Sequence, residues 1–222
     1  MIKVLLYGSG GRMGQLVAGL ICNRESEFRL VRTVDSKGAI ELSTDCPTLV
    51  IDFSTPSGAQ AAYREALARN IPLVSGTTGL ADEFMNQLRS NKAIPIFHSS
   101  NMSIGVSLFV DLLKQAQALL PEFKIGIHEV HHVNKKDAPS GTAKTIGSEL
   151  GFGGTISYDR RDQVIGVHEV TFSSPYEAIR LSHESLDRAV YAKGALDISK
   201  WLIQRPAGFY GIGDYKNSNG VK

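Results

Sequence analysis

Residues 2–14 read IKVLLYGSGGRMG. An apolar, β-forming run (2–7) ends in Gly8, and helical periodicity follows from about Met13 to Cys22 (MGQLVAGLIC). Strand, glycine turn and helix start in that order let the backbone approach a pyrophosphate. The helix N-terminus then supplies unpaired N–H groups and a positive dipole end. The spacing departs from GxGxxG: after Gly8 and Gly10 the third position is Met13, with Gly14 one later. A second β-like run, Arg29–Val34, is closed by Asp35 about 20 residues on, the place of a ribose-binding carboxylate. There Asp35 would accept hydrogen bonds from an adenosine ribose and repel a 2′-phosphate. Ser36 follows where an arginine would favour NADPH, although Arg12 and Lys37 compensate in part. NADH is therefore the favoured cofactor, with dual use open; the competing reading of Asp35 is a solvated strand-end carboxylate.

The pattern repeats downstream. Thr48–Phe53 (TLVIDF) is a near-continuous apolar strand, as expected when both sheet faces are covered. Thr55-Pro56 reads as N-cap and first helical residue of a helix to about Arg69, stopped by Asn70. Ile71–Ser75 is a strand, Ala81–Ser90 a helix and Ile94–His98 a strand. Strand–helix alternation argues for a Rossmann-like, doubly wound parallel sheet. The link between Asp35 and Thr48 is barely long enough for a crossover and too short for a further strand–helix unit. Ligands of such sheets sit beyond the carboxyl ends of the strands. That position is held by SGTTG (75–79) and HSSNMS (98–103), whose Gly76, Thr77, Thr78, Asn101 and Met102 are candidates to line the nicotinamide side. Ordinary turn chemistry is the alternative for each.

After Ser103 the character changes. A long amphipathic helix (about 104–120) precedes β-like runs at 124–133, 163–172 and 177–183, with one helix at about 141–150. Hairpin-length links imply a mixed or antiparallel sheet in a smaller α+β domain. The expected division is 1–102 with 194–222 as dinucleotide-binding domain and 103–193 as substrate and oligomerisation domain. The last helix (about 186–203, carrying Trp201) returns towards the first domain. Composition is that of a globular chain, 42% hydrophobic and 21% charged. A formal charge of +2 gives no support for nucleic-acid or membrane partners. No apolar run approaches the roughly 18 residues that span a bilayer. The start MIKVLLYGSG lacks the apolar core and cleavage site of a signal peptide. Cys22 and Cys46 have no CxxC spacing and read as free thiols, so a cytoplasmic location is expected.

The densest chemistry lies in EVHHVNKKDAPSGTA (129–143). Residues 128–132 (HEVHH) formally match the HExxH zinc motif, which requires a helix. In the β-branched context KIGIHEVHHV a strand separates His128 and His132 by about 13 Å, too far for one metal ion. No metal is expected. A solvated charge run explains Lys135 and Lys136 but not the sequel: Ser140 can cap a helix whose first N–H groups, at Gly141 and Thr142, lack intrahelical partners. A helix N-terminus facing a cationic strand end is a carboxylate receptor. His131 and Lys135 would supply protons and charge, and His132 a hydrogen bond to the bound anion. Glu129 and His131 share one side of the strand and are positioned to couple.

On the motifs GSGGRMG, VIDFSTP, SGTTG, SSNMSIGV and E-x-H-H-x-x-K-x-D-A-P-S-G-T-A, the chain resembles the 4-hydroxy-tetrahydrodipicolinate reductases over almost its whole length. These are NAD(P)H-dependent enzymes of diaminopimelate and lysine biosynthesis that act on a small cyclic imine dicarboxylate. The resemblance implies His131 as general acid/base and Lys135 as catalytic lysine. It puts substrate contacts on His132 and on the Ser140, Gly141 and Thr142 corner. Cofactor contacts fall on Gly8, Ser9, Gly10, Gly11, Arg12 and Met13, on Asp35, on Gly76, Thr77 and Thr78, and on Ser99, Ser100, Asn101 and Met102. It also implies a homotetramer formed through the second-domain sheet. Three departures stand out: Asn134 replaces a histidine of some relatives, Ser36 stands where an arginine would, and the short 36–47 link marks a trimmed member. Another imine oxidoreductase of the same architecture would keep the glycine loop and change the substrate. A non-catalytic dinucleotide sensor would need no paired His131 and Lys135.

Overall fold

The apolar run Ile2–Tyr7 forms strand β1, whose Val4, Leu5 and Leu6 are fully buried. It is followed by α1 (Arg12–Cys22), β2 (Phe28–Asp35), β3 (Gly38–Glu41), β4 (Leu49–Asp52), α2 (Pro56–Arg69), β5 (Leu73–Ser75), α3 (Asp82–Ser90) and β6 (Pro95–His98). Next come α4 (Ile104–Leu119), β7 (Lys124–His131), α5 (Gly141–Glu149), β8 (Ser157–Arg160), β9 (Gly166–Ser173) and β10 (Ala178–Ser185). The chain closes with α6 (Ala189–Leu202), β11 (Gly208–Tyr210) and α7 (Ile212–Ser218). This is a computed structural model, and it describes residues 1–135 and 137–218. Cα packing divides it into Met1–Met102 with the chain from Ala189 onward, and Ser103–Arg188.

In the first unit a seven-stranded sheet runs in the order β11-β6-β5-β4-β1-β2-β3, parallel throughout except for β3. The order of β1 to β6 is that of a doubly wound α/β sheet. Helix α2 packs Ala59, Ala62, Tyr63 and Ala66 with Leu5, Val50, Leu73 and Ile96, while α6 packs on α1, β5 and β6. Local signals set the helix ends. Thr55 accepts a hydrogen bond from the Gly58 N–H (3.2 Å) and Pro56 opens α2; Asn70, at φ 54°, ends it.

The short 36–47 link resolves differently from a crossover. It turns back after Asp35 and pairs β3 antiparallel to β2, Asp35 opposite Gly38. An edge strand needs only a tight turn, whereas a parallel crossover needs a dozen or more residues.

Register decides where a ligand can sit. Val34, Tyr7, Asp52, Ser75 and His98 lie side by side across β2, β1, β4, β5 and β6. The segments that follow these ends carry the Gly8, Ser54, Gly76 and Ser99 loops. They therefore open at the same end of the sheet, where such sheets bind ligands.

The second unit is a four-stranded mixed sheet, order β10-β9-β7-β8, with β7 and β8 parallel and the other pairs antiparallel. The period-2 alternation of β7 and β9 puts alternate residues on one face. At one end that face is apolar: Ile127, Val170 and Phe172 pack under Phe109 and Leu113 of α4 and Ile146 and Leu150 of α5. Two residues further along β7 it turns ionisable, with Glu129, His168 and His183 directly opposite one another on β7, β9 and β10.

Candidate active site

The glycine loop of the first unit is shaped by two close approaches. Gly8 has φ 81°, in the left-handed region that favours glycine. A Cβ on Gly14 would collide with the Gly8 carbonyl, so the third glycine of the turn is Gly14, buried where α1 meets β1, and Met13 precedes it. Gly11 caps α1 without a side chain, which leaves the first-turn N–H groups of Arg12, Met13 and Gly14 to a ligand. Asp35 ends β2 beside this loop. One carboxylate oxygen accepts from the Lys37 N–H (2.8 Å), and the other lies 2.9 Å from where a Gly10 Cβ would stand. A bare glycine edge, a helix start and an adjacent carboxylate fit the pyrophosphate and ribose of a dinucleotide.

One buried carboxylate ties the neighbouring loops together. Asp52, wholly inaccessible, accepts from Ser75 Oγ (2.7 Å) and Thr77 Oγ1 (2.8 Å) through Oδ2. Through Oδ1 it accepts from the Ser54 N–H (3.1 Å) and hydroxyl. Burial pushes its pKa above the ordinary value, against the pull of these donors. The Thr77 carbonyl meets His98 Nε2 at 3.1 Å. The Thr77 hydroxyl is thus spent inside the scaffold. Met102 is likewise sequestered, the whole residue only 1% exposed, with its carbonyl against Gly194. Thr78 and Ser100 are exposed; Ser9, Gly76, Ser99 and Asn101 are half-buried.

In the second unit the HEVHH segment is extended, β7 running to His131. His128 bonds Ser157 Oγ through Nδ1 (2.9 Å), away from the face that carries His131. Glu129 is fully buried and forms a hub. It accepts the Ser140 N–H at 3.0 and 3.1 Å on its two oxygens. Arg160 Nη1 stands 3.5 Å from Oε1, with His131 Nδ1 at 3.5 Å and His168 Nε2 at 3.8 Å from Oε2. Arg160 also donates to the Asp137 carbonyl (2.7 Å), tying the loop after β7 to β8.

That loop leads into α5. Ser140 Oγ caps it by accepting from the Ala143 N–H (3.1 Å) and lies 3.3 Å from His168 Nε2, so the hydroxyl is engaged internally. Gly141 is exposed with open space where a Cβ would be; Thr142, next to it, is half-buried, as is His132 just past the end of β7. Lys135 Nζ pairs with Asp137 Oδ1 at 2.8 Å, and this bond holds the Asp137 carboxyl below its usual range.

Burial is the main cause that lowers the His131 pKa. The Glu129 charge opposes it, while Lys135 and Arg160 reinforce it and Asp137 opposes it. His168 is pushed down to about 3, by burial first and then by the charges of His131, His183 and Lys135. Glu129, His131 and His168 bring potential ligand atoms within 4.8 Å of one another. The carboxylate already faces a guanidinium and a backbone donor.

Sequence reasoning named His131, Lys135, His132 and the Ser140–Thr142 corner; His131 and Ser140 meet at Glu129, while Lys135 pairs with Asp137. It did not find Asp52, Arg160 or His168. The alternation G-x-H-x-V-x-F in β9 is the one local signal that puts His168 on a buried face; its neighbours depend on strand register.

Residues 2–102 match the family model described as "Dihydrodipicolinate reductase, N-terminus", and residues 105–215 match "Dihydrodipicolinate reductase, C-terminus". A 4-hydroxy-tetrahydrodipicolinate reductase of Campylobacter jejuni is 34% identical over 240 aligned residues, covering 97% of this chain and 99% of the relative. One from Xanthomonas euvesicatoria is 36% identical over 230, covering 96% and 97%. Among solved structures, a dipicolinate-bound dihydrodipicolinate reductase from Paenisporosarcina sp. TG-14 aligns with a TM-score of 0.78 at 23% identity, covering 95% of this chain and 97% of that one. An amine dehydrogenase from Mycobacterium smegmatis aligns at 0.64 with 10% identity, covering 95% of each. The two structural likenesses are of fold. With both halves matched in order along one chain, the protein belongs to the dihydrodipicolinate reductase family of oxidoreductases.

Proposed function

We propose that the chain reduces 4-hydroxy-tetrahydrodipicolinate to tetrahydrodipicolinate, an NAD(P)H-dependent step of diaminopimelate and lysine biosynthesis. The observation that carries the reading is His131, held against buried Glu129 and within the field of Lys135, with the same Glu129 accepting the N–H of Ser140, the N-cap of α5. When bound, reduced nicotinamide would supply the hydride for ring C4 after loss of the 4-hydroxyl as water. Gly141 and Thr142 N–H groups receive one substrate carboxylate at the positive end of α5. Lys135 exchanges Asp137 for that carboxylate, and His132 adds a hydrogen bond. His131, with Lys135 as the competing donor, delivers the proton that completes the reduction. Asp35 reads the adenosine ribose and favours NADH. Gly8, Ser9, Gly10, Gly11, Arg12 and Met13 would hold the pyrophosphate; Gly76, Thr78, Ser99, Ser100 and Asn101 would line the nicotinamide side, with Thr77 and Met102 buried behind them as support.

The test is titration with pyridine-2,6-dicarboxylate, a planar, unreactive diacid. Saturable one-site binding, weakened at least tenfold in Lys135→Met, is expected; equal affinity in that variant would remove Lys135 from the carboxylate site. We also place a homotetramer interface on the outer face of the second-unit sheet. A solution mass of one subunit by light scattering would refute it.

A further inference from the structure

The strand β9 contributes a residue that the reaction scheme above leaves idle. His168 is 5% exposed, and its Nε2 aims at the same Glu129 oxygen, Oε2, that faces His131 Nδ1. The His131 and His168 rings meet edge to face, centroids 5.2 Å apart at 73°. On the strand, Gly166 precedes His168 by two and faces the same way; a Cβ there would stand 3.0 Å from His131 Nε2. The His131 ring is therefore boxed on three sides, by the bare backbone of Gly166, the edge of His168 and the carboxylate of Glu129.

We propose that His168 is a positioning residue for His131: it holds the ring in the one orientation where Nδ1 faces Glu129, leaving Nε2 to deliver the proton. The proposal rests on the reading of His131 as the reacting acid. A histidine acid needs a fixed tautomer, and a carboxylate facing one nitrogen sets it. Here the carboxylate is itself fixed from several sides, by Arg160 of β8, the Ser140 N–H at the cap of α5, and His168 of β9. Among the described residues, the other titratable or charged groups acting on the pair are Lys135 and Asp137 from the loop and His183 from β10. His168 Nε2 also meets Ser140 Oγ at 3.3 Å, so the same imidazole links the acid to the cap of the helix that receives the substrate. The Nδ1 atoms of both rings are buried without a hydrogen-bond partner. For His131 the Glu129 oxygen at 3.5 Å is the nearest charged acceptor, and a small rotation closes that bond.

The experiment compares His168→Phe, which keeps a ring and loses Nε2, with His168→Gln, whose amide nitrogen reaches the place of Nε2. Expected is a fall in kcat of roughly tenfold or more for Phe, with KM for NADH unchanged, and recovery of most of that loss in Gln. An unchanged kcat in His168→Phe overturns the proposal, as do equal losses in both variants. Nitrogen-15 imidazole spectra of the wild type decide independently of turnover and of whether the variants fold. His131 in a single Nδ1–H tautomer, with His168 neutral from pH 5 to 8, supports the assignment. Mixed His131 tautomers, or a His168 that titrates in that range, overturn it. A wild type without reductase activity would instead fault the reaction reading and leave the spectra to judge the positioning.

Discussion

At the scale of single residues, opposing influences meet on one imidazole, to which the proposed reaction assigns the proton. Burial lowers the His131 pKa and the Glu129 charge raises it. A general acid works while protonated, so its contribution is lost as pH rises through its pKa. Removing the opposing charge lowers that pKa further. In Glu129→Gln the falling limb of kcat against pH is expected to move to lower pH, with kcat near neutrality down by about tenfold. An unmoved limb would show that the Glu129 charge does not reach the reacting proton. The same substitution leaves Arg160 facing a neutral amide, so stability should drop by about 3 kcal/mol, read from denaturant midpoints. Asp35 carries a separate prediction. Its carboxylate is braced by the Lys37 N–H and abuts Gly10, so Asp35→Ala should raise the Kd for NADH more than that for NADPH. Equal weakening of both would mean that Asp35 does not read the ribose.

At the scale of elements, the strand ends decide what the loops can do. Asp52 couples β4 to β5 and to the turn after it through Ser54, Ser75 and Thr77. Asp52→Ala strips buried donors of their acceptor, and a loss of about 3 kcal/mol is expected by chemical denaturation. The KM for NADH should rise with it as the Gly76 turn loosens. A variant with wild-type stability and KM would mean that these hydroxyls find other partners. Elements with both faces buried were plain in the sequence: β1 and β4 are continuous apolar runs, and α2 shows its cap, its first proline and its stop. β3 (GAIE) is exposed at all four residues, and β8 (SYDR) carries no aliphatic residue, so neither has a hydrophobic period to read. The run read as 124–133 outlasts β7 by two residues because Val133 is apolar, yet it stands 53% exposed in a turn.

At the scale of the whole molecule, the E-x-H-H…P-S-G-T stretch announces a strand followed by a capped helix, and both form as read. The partners of Glu129 are another matter. Arg160 and His168 arrive from β8 and β9, and only the pairing of Glu129 with Tyr158 and with His168 brings them alongside. Local sequence fixes which face a side chain takes; register between distant strands fixes what it meets. The parallel order of the first sheet follows from strand–helix alternation, whereas the antiparallel turn at β3 follows from a length constraint visible beforehand only as a shortage of residues. The central claim, that His131 drives reduction of the cyclic imine diacid, is tested most directly by following oxidation of NADH at the reduced-nicotinamide band with freshly made heterocycle. Wild-type protein should consume NADH only when the heterocycle is present, and His131→Ala should lose about a hundredfold or more in kcat with Kd for NADH unchanged. No turnover by the wild type, or an undiminished kcat in His131→Ala, would contradict it.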